Sequence, residues 1–164
     1  MLNNGRKKED FEELLQRNRG RLNAISRSYG GQQADDLMQE ILLQIWRSLE
    51  SFENRASIDT WSYRIALNTA ISWCRSASRR NRKLPQTSAD VEAVSGAADG
   101  PDACELLEQF LATLNDSDRA VVLMYLEDMT AAQMADILGT SEGALRVRLH
   151  RIKTRLANWQ RGES

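Results

Sequence analysis

Apolar residues recur every three to four positions along much of the chain, which is the spacing of one face of an α-helix. Leu, Ala, Arg, Glu and Gln are common, and aromatic residues make up only 6% of the sequence. Pattern and composition together predict an all-α fold. The clearest apolar stripes are Leu37, Met38, Ile41, Leu42, Ile45, Trp46 and Leu49, and later Leu145, Leu149, Ile152, Leu156 and Trp159.

The first half of the chain predicts three helices. The first covers residues 9–28 and ends at a pair of glycines, and the second covers residues 34–49. A polar loop with one phenylalanine then leads to a third helix over residues 58–80. The inner side of this third helix is expected to be Ile58, Trp61, Ile65 and Ala66.

The second half of the chain predicts four shorter helices, the first over residues 102–114. Capping residues precede each of the other three, and a glycine stands in the turn between the last two. The last two helices therefore form a candidate helix-turn-helix. The signals are the run NDSD before a helix through Glu127, the capping box Thr130-x-x-Gln133 before Ala131, then Gly139 and Ser141.

Residues 84–101, LPQTSADVEAVSGAADGP, separate the two halves. This stretch holds both prolines of the chain, two glycines and no cation. Because proline disfavours helix at and just before its position, the stretch predicts a flexible acidic linker. We therefore predict two small helical domains, residues 1–83 and 102–164, joined by this linker, with the helix-turn-helix in the C-terminal one.

The net charge of −1 alone argues against a nucleic-acid binder, but the charges are segregated. Residues 55–83 carry seven cations and one carboxylate, a net charge of +6. Residues 84–118 carry no cation and eight carboxylates, a net charge of −8. Such alternating blocks indicate surfaces with different partners, of which a basic one can face phosphate.

Several functional classes find no support. No apolar run approaches the roughly 18 residues of a membrane span, and the start of the chain has no apolar core of a secretory signal. Cys74 and Cys104 lack metal-ligand spacing and are interpreted as free thiols of a cytoplasmic protein. His150 is the only histidine, and Asp36 and Glu40 have no further ligand or nucleophile beside them, so we predict no metal, cofactor or catalytic site.

Three surfaces carry candidate chemistry. The last helix presents long cations on both edges of its outer face, which can contact phosphates on both walls of a major groove. The third helix interleaves Trp61, Tyr63 and Trp73 with arginines, a pattern typical of single-stranded nucleic-acid binding. The second helix presents an acidic outer face suited to docking. The alternatives are solvated basic faces and tryptophans in the core, with Tyr63 the better candidate for exposure.

These motifs, in this order, resemble the extracytoplasmic-function sigma factors of bacterial RNA polymerase. DDLMQEILLQIW resembles the core-polymerase-binding helix, and FENRASIDTWSYRIALNTAISWCRSASRR resembles the segment that melts the promoter and reads the minus-ten element. The stretch from residue 114 to 156 resembles the domain that reads the minus-thirty-five element. The resemblance implies a two-domain sigma factor without enzymatic activity, which binds core polymerase and promoter DNA and is held by an anti-sigma factor.

The resemblance also implies three sets of site residues. Core polymerase is expected to contact Asp35, Asp36, Gln39 and Glu40. The minus-ten set is Phe52, Asn54, Arg55, Trp61, Tyr63, Arg64, Asn68, Arg75, Arg79 and Arg80. The minus-thirty-five set is Ser141, Glu142, Ala144, Arg146, Arg148 and Arg151.

Two positions depart from the family pattern and leave the base preference open. Ser62 stands where the family often has leucine, and Ala144-Leu145 replaces a commoner Thr-Val, which removes a hydroxyl that could touch DNA. Two other functions compete with the sigma interpretation. A helix-turn-helix regulator would act without polymerase, and a sigma-like mimic would bind an anti-sigma protein without DNA. The cluster of cations near the end of the third helix argues against the mimic.

Overall fold

The computed structural model describes residues 4–83 and 103–162. All regular structure in these ranges is helical, which confirms the all-α prediction. The predicted linker, residues 84–101, lies outside the described residues. The α-helices of the described part are α1 Asn4–Gly30, α2 Ala34–Ser48, α3 Ile58–Lys83, α4 Ala103–Ala112, α5 Asp116–Leu126, α6 Ala131–Leu138 and α7 Glu142–Gln160.

Helices α1, α2 and α3 pack side by side as an N-terminal bundle. The predicted stripe of α2 is confirmed, because Leu37, Ile41 and Ile45 are fully buried. Each such side chain contributes about 1.5–3 kcal/mol by leaving water, so this stripe is a main source of the bundle's stability. The predicted helices are shorter than α1 and α3 in the structure, because α1 begins at Asn4 and includes Gly30, and α3 continues to Lys83.

The inward face of α3 differs from the prediction. Tyr63, Ala66, Leu67 and Ala70 are buried at helical spacing, whereas Trp61 is only half-buried. The predicted exposure of Tyr63 is therefore wrong. Of the predicted inner residues, Ala66 is confirmed as buried, whereas Ile58 and Ile65 are half-buried like Trp61 because the inward face is turned towards Tyr63 and Leu67.

Helices α4 to α7 form a C-terminal bundle whose turns follow the predicted signals. The Thr130 hydroxyl accepts a bond from the Gln133 amide, and the Gln133 side chain reaches back to the Thr130 amide, so the capping box is confirmed. Gly139 has φ +63°, the left-handed conformation that glycine adopts without strain. Ser141 Oγ accepts a bond from the Ala144 amide and caps α7 at 3.2 Å.

The two bundles lie in direct contact, α1 against α4 and α3 against α6, and their buried apolar residues form one connected cluster. Polar contacts also cross this boundary. Tyr29 Oη donates to the Asp116 carbonyl at 2.6 Å, and Arg21 Nε lies 3.1 Å from Glu127 Oε2. The chain is thus closed on itself, with its N-terminal and C-terminal bundles packed together.

Cys74 and Cys104 are free thiols, as predicted. Burial raises the pKa of the half-buried Cys74 thiol, which favours its protonated form. Cys104 is exposed. Within the described ranges, each helix is too short or too polar to cross a lipid bilayer, and metal-binding groups of His, Cys, Asp and Glu do not occur.

Candidate functional site

The outer face of α2 is acidic and open to solvent. Asp35, Asp36 and Gln39 are exposed, and Glu40 is half-buried and accepts a 2.7 Å hydrogen bond from Gln44 Nε2. Asp35 and Asp36 stand in the first turn, where the helix dipole stabilises negative charge. The apolar stripe on the opposite side fixes the helix, so the four residues share one rigid surface, which we call the acidic face.

The loop between α2 and α3 carries exposed polar residues and one aromatic ring that packs against α3. Asn54 has φ 55°, and Arg55 is 86% exposed in its side chain and pairs with Glu53 at 2.7 Å. Phe52 is half-buried because its ring packs against Trp61 with centroids 5.0 Å apart. Of the predicted minus-ten residues, Phe52 and Trp61 are therefore brought together, and both keep part of their rings accessible.

Tyr63 is buried, and Arg64 is paired with a residue of the C-terminal bundle. Tyr63 is 2% exposed and its hydroxyl has no hydrogen-bond partner. Burial, with a further contribution from the Glu127 carboxylate, raises the pKa of Tyr63 far above its ordinary value. Arg64 Nη2 donates to Asp136 Oδ2 at 2.7 Å and to the Asp136 carbonyl at 2.9 Å. In this closed arrangement neither side chain is free to contact DNA.

The remaining minus-ten residues follow α3 towards its C-terminal end. Asn68, Arg75 and Arg79 are exposed on the solvent side of the helix. Arg79 Nε lies 3.4 Å from the Arg75 carbonyl and keeps its outer nitrogens available. The Arg80 side chain lies outside the described residues. Arg75 and Arg79 stand one helical turn apart and form a positive surface that can contact a phosphate backbone.

A groove of about 450 Å³ runs between α2 and α3. Glu40 and Gln44 line one wall, and Asn68 and Ser72 line the other, with Trp73 beside them. The groove therefore joins the acidic face to the minus-ten residues of α3. Its walls combine hydrogen-bonding side chains with apolar surface that includes Trp73.

Helix α7 is held by Leu145 and Ile152, which are buried, and it turns its other sides to solvent. Ser141, Glu142, Ala144 and Arg151 are exposed. Arg146 is 73% exposed and lies 3.5 Å from Glu142 one turn earlier. Five of the six predicted minus-thirty-five residues are thus exposed to solvent, namely Ser141, Glu142, Ala144, Arg146 and Arg151. An exposed, cation-bearing helix after a capped turn has the anatomy of a recognition helix in a helix-turn-helix.

Arg148 is engaged inside its own bundle. Its Nη1 donates to Ser117 Oγ at 2.7 Å, and its Nε lies 3.5 Å from Asp118 Oδ1. These two acceptors fix the guanidinium to the start of α5, while 33% of the Arg148 side chain stays exposed. The structure therefore gives Arg148 a role in joining α7 to α5 as well as a position at the edge of the outer face.

Three residues absent from the predicted site sets stand out in the structure, one on α7 and two at the boundary between the bundles. Val147 is 62% exposed on the outer face of α7. Its exposure could be predicted from the sequence, because Val147 lies opposite the apolar stripe of this helix. Asp136 and Arg119 bridge the bundles through bonds to residues far away in sequence. No local pattern marks such residues, because their partners lie 72 and 91 positions away.

Family models match both halves of the chain. Residues 14–80 match sigma-70 region 2 and residues 104–156 match sigma-70 region 4. The chain is 30% identical to the ECF RNA polymerase sigma factor SigM of Mycobacterium tuberculosis over 153 residues, which cover 90% of this chain and 75% of SigM. It is 31% identical to the RNA polymerase sigma factor YlaC of Bacillus subtilis, with 75% of each chain covered.

A longer relative and two solved structures add to these matches. The protein named "Probable RNA polymerase sigma factor RfaY" of Xanthomonas campestris pv. campestris is 32% identical, and the alignment spans 76% of this chain but only 33% of that protein. The sigma factor RpoE in complex with the anti-sigma factor NepR from Bartonella quintana superposes with TM-score 0.72 at 23% identity, covering 95% of this chain and 99% of RpoE. CnrH in complex with the cytosolic domain of CnrY gives TM-score 0.68 at 21% identity, covering 96% and 91%. At these identities the two structures show a shared fold.

Proposed function

Because the chain belongs to the extracytoplasmic-function sigma factors, we propose that it binds core RNA polymerase and directs transcription initiation at its own promoters. The observation that carries this proposal is the presence of three separate accessible surfaces on one chain. These are the acidic face of α2, the basic side of α3 and the outer face of α7. Each suits a different partner surface, and one protein that bridges polymerase and two DNA elements needs all three.

The acidic face is the proposed polymerase-binding surface. Asp35, Asp36, Gln39 and Glu40 stand on a helix whose other side is locked in the core, so binding requires little ordering of the chain. An acidic surface is attracted to a basic surface and repelled by DNA. The acidic face therefore has a different partner from α3 and α7, whose proposed partner is DNA. A helix-turn-helix regulator acting alone would have no use for it.

The basic side of α3 is the proposed minus-ten surface. Opening the duplex and flipping a base costs a few kcal/mol. Stacking on an aromatic ring returns about 1–3 kcal/mol per base, and cations hold the displaced backbone. Phe52 and Trp61 form a tilted aromatic pair, and Asn68, Arg75 and Arg79 are exposed further along α3. Tyr63 is buried and Arg64 is engaged by Asp136 in this structure.

The outer face of α7 is the proposed minus-thirty-five surface. Small residues near its N-terminus allow close approach to base edges, and Arg146 and Arg151 stand where phosphates of a major groove would lie. We further propose that the chain acts in the cytoplasm and performs no covalent chemistry itself. An anti-sigma partner is proposed as well, because two solved structures of this fold are complexes with such regulators or their cytosolic domain.

Run-off transcription tests the proposal directly. The purified chain is combined with core polymerase on a library of promoter sequences, and we expect transcripts from a subset with a common minus-ten and minus-thirty-five sequence. Absence of specific transcripts from a properly folded chain would refute the sigma function.

The polymerase surface is tested by Asp36→Arg, measured as affinity for core polymerase. We expect a loss of ten-fold or more, since reversal of a charge in a complementary interface costs over about 1.4 kcal/mol. The matched control is Glu105→Arg, an equal charge change at an exposed position of α4. An equal loss in both variants would show that net charge matters and the acidic face does not.

A further inference from the structure

Helix α1 contacts both ends of the loop between α2 and α3. We call residues 52–57 the minus-ten loop, because they include three residues of the proposed minus-ten set, Phe52, Asn54 and Arg55. The hydrogen bonds and ion pairs of this loop in the described chain join residues at most four positions apart. Such short-range bonds shape the loop, so its placement in the bundle depends on the residues that flank it.

The entry to the loop is held by Lys7 of α1. Lys7 Nζ donates to Glu50 Oε1 at 2.8 Å and lies 4.5 Å from the ring centre of Trp46. The Lys7 side chain is 16% exposed, whereas that of Glu50 is 65% exposed. The hydrogen bond from Lys7 lowers the pKa of the Glu50 carboxyl, because it favours the charged form. Lys7 thus joins α1 to the residues that lead from α2 into the loop.

The exit of the loop is held by Asn18, a buried polar residue of α1. Asn18 is 2% exposed, and its amide nitrogen donates to the Leu14 carbonyl at 3.0 Å and to Asp59 Oδ1 at 2.7 Å. Both partners are acceptors, so both hydrogens of this amide are used and its orientation is fixed. Arg17 Nη2 lies 3.5 Å from the same carboxylate oxygen. Asp59 stands in the first turn of α3, where the helix dipole also stabilises its charge.

The two tethers stand on a single helix, at Lys7 and Asn18. The eleven residues between these positions correspond to about 16 Å at ~1.5 Å per residue. Because α1 packs against both α2 and α3, it fixes the distance between the entry and the exit of the loop. Trp61 lies two residues after Asp59, and its ring centre is 5.0 Å from that of Phe52. A shift of the first turn of α3 would therefore also move this aromatic pair.

We propose that Asn18 and Asp59 are positioning residues that, together with Lys7 and Glu50, hold the minus-ten loop in the geometry that receives promoter DNA. These four residues need not touch DNA themselves. A loop that is already placed loses less conformational entropy on binding, so the tethers increase affinity and base discrimination without adding a contact. The inference rests on the proposed function for the role of the loop, whereas the tethers are properties of the free chain.

Hydrogen–deuterium exchange of the free, full-length chain tests the tether at the exit. The reporters are the amides of Thr60 and Trp61, which donate to Ser57 Oγ at 3.1 Å and to the Ser57 carbonyl at 2.9 Å. Asp59→Ala removes the acceptor of Asn18 and is expected to raise the exchange rates of both amides about two- to ten-fold, the effect of one lost hydrogen bond. Exchange of the α2 amides should stay as in the natural sequence.

Run-off transcription by the holoenzyme tests whether the tether acts in base recognition. The readout is the ratio of transcripts from a preferred promoter to transcripts from promoters substituted at each minus-ten base. Asp59→Ala is expected to lower this ratio by about three-fold or more at the bases that the loop contacts, and to leave the corresponding minus-thirty-five ratio unchanged. A general loss of stability would lower all transcripts together and change neither ratio.

Three variants serve as controls. Asp59→Asn keeps an oxygen that can accept from Asn18, so it should return both the exchange rates and the base ratio towards those of the natural sequence. Asp10→Ala removes the same side chain from an exposed position of α1 and is expected to change neither measurement. Ile25→Val shortens a fully buried side chain of the same helix, and should lower the stability of the chain without lowering the base ratio.

Three results would overturn the proposal. The first is unchanged exchange of the Thr60 and Trp61 amides in Asp59→Ala. The second is raised exchange with an unchanged base ratio. The third is an equal effect of Asp59→Ala and Asp59→Asn, which would show that the charge matters and the hydrogen bond does not.

These outcomes are distinct from failure of the proposed function. The exchange measurement contains no polymerase or DNA, and the base ratio is read only where the natural chain supports transcription. Failure of the natural chain in run-off transcription would therefore refute the proposed function and leave the tether of the free chain standing. An unchanged base ratio in an active holoenzyme would refute the positioning role alone.

Discussion

Replacement of Arg119 by alanine tests how much one guanidinium group contributes to the closed chain. Arg119 donates three hydrogen bonds to backbone carbonyls: Nε to Leu111 at 3.1 Å, Nη2 to Leu114 at 3.2 Å and Nη1 to Ser28 at 3.1 Å. Its guanidinium also lies 5.0 Å from the ring centre of Tyr29. The first two bonds secure the end of α4, and the third crosses to α1.

The magnitude follows from these contacts. A hydrogen bond from a charged group contributes about 1.5–3 kcal/mol when the acceptor is left without a partner. The cation–π contact adds about 0.5–1 kcal/mol. Arg119 is half-buried, so water reaches part of the freed carbonyls and reduces the sum. We expect a loss of about 2–4 kcal/mol in the free energy of unfolding. In a chain of this size that corresponds to a melting temperature roughly 5–15 °C lower.

Thermal unfolding followed by circular dichroism measures this loss in Arg119→Ala and Arg119→Lys. Lysine keeps the charge but lacks the planar fork, so it should recover less than half of the stability. The matched control is Arg19→Ala, an exposed arginine of α1 for which the structure records no ion pair. A melting temperature of Arg119→Ala within 2 °C of the control would refute the assigned role.

Three further substitutions test the C-terminal bundle. Gly139→Ala should cost about 1–2 kcal/mol because φ is +63° there, and an unchanged melting temperature would contradict the turn geometry. Arg146→Ala should flatten the dependence of log affinity for the upstream duplex on log salt by about 0.9 per lost phosphate contact, with core-polymerase affinity unchanged. Val147, an exposed apolar group, should pack on a thymine methyl. Replacement of that thymine by uracil should weaken binding of the natural sequence and leave Val147→Ala unaffected, and insensitivity at every thymine would exclude the contact.

Local features of the fold were predictable because their signals and partners are close in sequence. The capping box of Thr130 and Gln133, the left-handed Gly139 and the cap Ser141 each involve contacts within four residues. The stripe of α2 was equally predictable, since one helix face meets the core at regular spacing. These elements place the acidic face and the outer face of α7, and both are accessible as the pattern indicated.

The contacts between bundles could not be predicted in this way. Arg21 and Glu127 are 106 positions apart, and nothing in either neighbourhood distinguishes them from solvated charges. Tyr63 shows the consequence. An aromatic residue beside cations suggests base stacking, yet its position four residues before Leu67 and seven before Ala70 places it on the buried face. The helical spacing of Tyr63 indicates burial, and the prediction of exposure gave more weight to the chemistry of its side chain than to this spacing.

The closed chain also suggests an order of events. Asp35, Asp36 and Gln39 are exposed with the bundles packed together, so the acidic face can meet polymerase before the chain opens. Arg64, which the proposed function assigns to promoter DNA, is paired with Asp136, so its proposed contact with DNA requires this pair to break first. If docking precedes opening, Asp136→Asn should leave the affinity for core polymerase unchanged and accelerate only the later formation of the promoter complex. A parallel gain in core-polymerase affinity would show instead that polymerase itself selects the open chain, since a ligand shifts an equilibrium only by its differential affinity for the two states.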